Sequence, residues 1–174
     1  MLRLPVFFSL LGSTAAVDIW LSWFSGGTSV HCVGMNPDKC CGISGSSDSP
    51  FWGVSFQAIP PEWNLWVRGH AGPLCGAIVE SATSRGRQNV DMGQGPFGGG
   101  GYSFVPWTKR SESEGDLEFN CTEVVRPSVM TLPDGVQYNI AELDDAAFAE
   151  MVRVSLLSLR ICVRGLILMV RFYS

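Results

Sequence analysis

The sequence predicts an α+β or mainly β fold, in which a small disulfide-stapled single domain combines several short antiparallel strands, long glycine-rich loops and one carboxyl-terminal helix. Three observations carry this. Apolar and aromatic residues come in short, partly alternating runs, the pattern of half-buried strands. Twenty glycines and 10 prolines in 174 residues punctuate those runs and break long helices. A helical period appears once, near the carboxyl end. The 46% hydrophobic content and six tryptophans place the chain among ordered domains, because segments that stay unfolded are poor in aromatics and rich in charge.

The elements follow in order. Asp18 to Phe24, with Ile19, Trp20, Leu21, Trp23 and Phe24, predicts an edge strand or a segment packed on the core, ended by Gly26 and Gly27. Val30 to Val33 predicts a short strand leading into an Asn36-Pro37-Asp38 turn, and residues 42–50 (GISGSSDSP) read as a loop. Phe51 to Ile59 alternates until Pro60-Pro61, Trp63 to Val67 follows, and Cys75 to Ala82 is a third strand. Arg85 to Gly101 reads as one long polar, glycine-rich excursion. Tyr102 to Trp107, Leu117 to Val125 and Val136 to Ile140 are further strands. Glu142 to Val152 is a helix, with Leu143, Ala147 and Met151 at four-residue spacing and Asp144 and Asp145 in its first turn, where negative charge suits the macrodipole.

Residues 1–16, MLRLPVFFSLLGSTAA, have one positive charge at Arg3, an apolar run from Leu4 to Leu11 and small residues before Ala16. That is the grammar of a secretory signal peptide cleaved after Ala16, which leaves 17–153 as a single secreted, extracellular domain. In an oxidising compartment Cys32, Cys40, Cys41, Cys75, Cys121 and Cys162 are disulfide candidates before they are metal ligands or nucleophiles. Six cysteines allow 15 connectivities. Neighbours on an extended chain point to opposite sides, so Cys40 and Cys41 are expected to bridge to different partners. Asn120-Cys121-Thr122 is an N-glycosylation sequon and makes Asn120 the glycosylation candidate.

All 16 acidic residues but only seven of the 12 basic ones lie between residues 17 and 152, a charge of −9 for the body. Such a surface repels phosphate backbones and lacks the counterion release that drives nucleic-acid binding. Residues 154–174 reverse the pattern, with Arg160, Arg164 and Arg171 and no acid. Three readings compete for this hydrophobic basic tail: continuation of the helix, membrane attachment, or translation of an unspliced intron beginning near the Val154-Ser155 pair. The arginines interrupt any run near the roughly 20 apolar residues a span needs, so no stable membrane anchor is expected.

No catalytic, metal or cofactor constellation stands out. Gly93 to Gly98 formally matches G-x-G-x-x-G, yet Pro96 removes a backbone donor and no helix pattern opens on it. G-x-S-x-G is absent. Of the two histidines, His31 and His70, the second sits in an Arg68-Gly69-His70-Ala71-Gly72 stretch read as an exposed turn. Glu62, Glu80, Asp91 and Glu118 are carboxylates that a glycosidase pair would draw on. Trp63 and Trp66, following Pro60-Pro61, are the sugar-stacking candidates among tryptophans otherwise expected in the core. Lys109-Arg110 suits a dibasic processing protease, and a cut there would leave halves joined only by disulfides.

A short leader, the spacing Cys32-x7-Cys40-Cys41 and a small, acidic, tryptophan-containing body resemble the uncharacterised small secreted cysteine-containing, effector-like proteins of filamentous fungi. Hydrophobins, with eight cysteines in two doublets, do not fit a chain with six and one. The resemblance implies a non-enzymatic binding or effector-type protein whose partner is an extracellular protein or carbohydrate. The alternative is a secreted hydrolase or carbohydrate-binding module acting on wall polysaccharide.

Overall fold

The computed structural model describes residues 16–23, 27–43, 50–73, 75–93, 95–105 and 121–163, with side chains as far as residue 154. Within them run β1 (Val17–Ser22), β2 (Ser29–Met35), β3 (Lys39–Gly42), β4 (Gly53–Gln57), β5 (Leu65–His70), β6 (Ile78–Thr83), β7 (Val90–Met92), β8 (Gly99–Phe104), β9 (Glu123–Val125), β10 (Val129–Thr131), β11 (Gln137–Asn139) and α1 (Asp145–Val163). The molecule is mainly β, as the sequence predicts. Six strands form one sheet in the order β11-β10-β2-β1-β4-β7, and five form a second in the order β6-β5-β8-β3-β9. Among the described strands only β3 and β9 pair in parallel.

The sheets pack face to face. From the first come Val17, Ile19, Leu21, Val30, Val54, Phe56 and Met130, and from the second Leu65, Val67 and Tyr102, all within one buried cluster. The approach is close enough to dictate sequence. A Cβ at Gly100 of β8 would lie 2.6 Å from Val54 Cγ1 and 3.3 Å from both Ile19 and Phe56, and one at Gly69 of β5 would lie 2.5 Å from the Phe97 ring. These glycines are thus strand residues, Gly100 admitting the opposite sheet and Gly69 the Phe97 ring. Tyr102 completes the seam by donating its hydroxyl to the Met35 carbonyl at 2.6 Å.

Several sequence readings are corrected. β1 lies between β2 and β4 at the centre of its sheet, not at an edge, since Val17, Ile19 and Leu21 are fully buried while Trp20 packs on the other face. The stretch 85–101 contains β7 and the start of β8, whose apolar residues are too few or too small to register as a strand. β3 and β10 carry no reading of their own, being three or four residues long. The helix starts at Asp145 and passes residue 154, being described as far as Val163. Asp144 caps it by accepting the Ala147 N–H at 2.7 Å, and Phe148 anchors it in the core. Among the described residues no helix is long and apolar enough to cross a membrane.

Candidate functional site

The cysteine doublet sits on β3, where extended backbone sends its two side chains to opposite faces. Cys41 points between the sheets and bridges to Cys32 of β2 (Cα–Cα 5.9 Å); Cys40 points outward and bridges to Cys75 in the β5–β6 connection (Cα–Cα 6.3 Å). All four are buried. Cys121 holds a free thiol among the described residues, pushed up in pKa chiefly by burial, and donates to the Glu123 carbonyl at 3.2 Å. The Cys162 side chain, Asn120, Glu118 and Lys109-Arg110 lie outside the described residues.

Both histidines are strand residues with neutral rings. His31, 2% exposed, faces away from the core on β2. Its Nε2 meets Ser29 Oγ at 2.8 Å, and Trp20 stacks on the ring at 3.5 Å between centroids. Burial lowers its pKa to about 4, against a smaller opposing effect from Asp18. This is the closest approach to a nucleophile–base pair in the described chain, and a Ser-x-His alternation on one strand face is the sequence signal for it. It lacks the rest of such a machine. Asp18 acts through its charge, with Oδ1 taken by the Gly34 N–H at 2.8 Å, and Ser29 lies mid-sheet, flanked by Ser22 and Thr131, where ladder pairing consumes the backbone donors of an oxyanion site.

His70 closes β5 and is 1% exposed, which corrects its reading as a turn residue. Its Nδ1 lies 3.0 Å from the Gly76 carbonyl, and burial is the main cause of its lowered pKa. Trp66, Arg68 and His70 alternate along the outer face of β5, and all three are buried. Trp66, at 6% exposure, therefore presents no free face to a sugar; the Arg68 guanidinium occupies it at 4.4 Å. Burial, against Asp38 and Cys121, lowers the Arg68 pKa to about 10. The Gly93–Gly98 string leads into strand pairing, with Phe97 bridged to Phe51, and no helix opens on it. Among the described residues no three His, Cys, Asp or Glu side chains gather as metal ligands.

What is exposed and built lies elsewhere, at the corner where β5 begins and β6 ends. An open groove of about 520 Å³ is lined by Ser81, Ala82, Thr83, Arg85 and Arg87. Ser84 to Arg87 make a tight turn, with the Arg87 N–H on the Ser84 carbonyl at 2.9 Å. Arg85 and Gly86 are left-handed there, at φ 47° and 77°, as a type I′ turn requires. Arg85 Nε donates to Thr83 Oγ1 (3.0 Å), and Arg87 donates to the Ser84 and Thr83 carbonyls (3.1 and 2.8 Å). The loop bearing Trp63 is bonded to this turn: Ser84 Oγ donates to the Trp63 carbonyl at 3.1 Å, and the Ile59 N–H to the Gln88 carbonyl at 3.0 Å. Trp63 is half-buried and meets Phe104, 46% exposed, edge-on at 4.9 Å. Sequence reasoning found Trp63 and missed the arginines, for which Arg-Gly-Arg in a turn is the available signal.

No curated protein and no solved structure matches the chain. The sequence profile of one family does, over residues 18–128, a span that starts in β1, takes in both disulfides and the groove, and ends just before β10. On that match the chain belongs to the ARB_05566_N family, described as an N-terminal domain.

Proposed function

We propose that the chain is a secreted, disulfide-braced binding protein of the effector type, without catalytic activity, that meets its partner outside the cell. One observation carries the reading: the side chains able to do acid–base work are set apart, the histidines buried and the carboxylates dispersed, while Ser81, Thr83, Arg85 and Arg87 line a groove suited to holding a ligand. His31 and His70 occupy different sheets, and Glu62 and Asp91 stand exposed on separate loops or edges. In this reading the leader is removed after Ala16, Asn120 carries glycan and the partner is an extracellular carbohydrate or protein.

The test uses protein purified from culture medium. Its intact mass, before and after reduction, is expected to begin at Val17 and to shift on glycosidase treatment. Incubated with insoluble wall material, it should co-sediment without releasing new reducing ends or peptide termini. The Ser29–His31 contact favours a second reading, a hydrolase. Steady product release that disappears in Ser29→Ala would establish that reading and overturn the first.

A further inference from the structure

Within the reading of the chain as a binding protein, the corner between β5 and β6 narrows the ligand. The charged residues lining the groove are two arginines, in a body that carries −9 between residues 17 and 152. Glu80, the nearest acid along β6, is turned away, with both carboxylate oxygens on the Gly93 N–H at 3.2 Å. Of five N–H donors on each guanidinium, Arg85 commits one and Arg87 two to the bonds described. The rest belong to side chains that line the groove, and a guanidinium suits planar, bidentate recognition of a carboxylate. Arg85 is kept at φ 47°, a backbone region that non-glycine residues seldom adopt and that recurs at ligand-binding turns.

The remaining lining is neutral and hydroxylic. Ser81 and Thr83 face outward from β6, in register with Arg68 and Trp66, whereas Trp63 and Phe104 close the same end of the sheet on its core side. The edge itself is closed to an added peptide strand. Val79 is bulged out of register between Glu80 and Ile78, and Arg87 already takes the Thr83 carbonyl, two devices that block edge pairing. We infer that this corner binds an acidic oligosaccharide, with a uronate carboxylate on Arg85 and Arg87 and ring hydroxyls on Ser81 and Thr83. A groove of about 520 Å³ falls within the range of small-ligand sites.

The experiment is calorimetric titration of the secreted, disulfide-intact protein with four probes: oligogalacturonate, oligoglucuronate, the methyl ester of the acid that binds, and polyglutamate of matched charge. One of the two acids is expected to bind, its ester about tenfold more weakly or worse, consistent with loss of charge-assisted hydrogen bonds. Arg85→Gln should weaken binding by a similar factor with its melting temperature unchanged; it is preferred to Arg87→Gln because Arg87 also closes the turn. Equal binding of ester and acid, unchanged affinity in Arg85→Gln, or equally tight polyglutamate would each overturn the assignment. If the protein co-sediments with wall material but ignores both uronates, this inference falls and the binding reading stands. Product release from the wall material defeats the binding reading instead.

Discussion

A neutral imidazole under Trp20 makes stability depend on pH. His31 holds off protonation to about pH 4 in the fold, whereas an unfolded chain takes up that proton near its ordinary value of about 6.5. The contribution is therefore whole above about pH 6.5 and is lost as pH falls from there to about 4, by roughly 3 kcal/mol at most. His70, lowered in the same direction, adds to it. Urea midpoints measured across that window should fall with acid, and His31→Gln should flatten part of the slope. Tyr102 gives a second prediction. Its hydroxyl, kept protonated by burial up to about pH 12, satisfies the Met35 carbonyl, so Tyr102→Phe should cost about 1–3 kcal/mol by leaving a buried acceptor bare. Neither role is legible in the sequence: a histidine in a Val-His-Cys run looks like any strand residue until its cross-strand neighbour is known, and register supplies Trp20 from 11 residues away.

At the level of elements, what the sequence conveys is the strand whose side chains are large. β4 and the start of β5 announce themselves through Phe56, Leu65 and Val67. The start of β8 does not, because its inward face must be nearly bare where Gly100 meets Val54, Ile19 and Phe56; Tyr102 onwards is read as a strand. Gly100→Ala should therefore destabilise by about 1–3 kcal/mol, as overpacking does, although alanine is ordinarily no worse in a strand; a denaturation midpoint below wild type with an unchanged m-value is the expected result. The helix is legible for the opposite reason, its period being uninterrupted by turn residues. Its start is less so, as Leu143 shares the apolar spacing although the helix begins only at Asp145. The side chain that fixes the boundary is Asp144, and Asp144→Ala should cost about 1 kcal/mol in thermal stability. The groove corner escaped for a topological reason: Trp63 and Arg85 lie 22 residues apart, and the β5–β6 ladder with the bonds of Ser84 and Ile59 brings their loops together.

On the scale of the whole molecule, the two bridges should each stabilise by about 2–4 kcal/mol, and a Cys32→Ala/Cys41→Ala variant should unfold at lower urea than wild type while keeping its far-ultraviolet dichroism. Their arrangement has a further consequence. The pairs Cys32–Cys41 and Cys40–Cys75 interleave, because Cys40 falls inside the first loop and Cys41 inside the second. Every peptide bond from Cys32 to Cys75 is thus straddled by at least one bridge, and no single protease nick in that span can release a fragment. The cover stops at Cys75. A cut at Lys109-Arg110 is spanned by neither bridge, so the expectation that its halves stay tethered does not hold for these two disulfides. Denaturing, non-reducing electrophoresis of nicked protein will tell the two stretches apart: a break between Cys32 and Cys75 should leave one band, and a break at the dibasic pair should leave two.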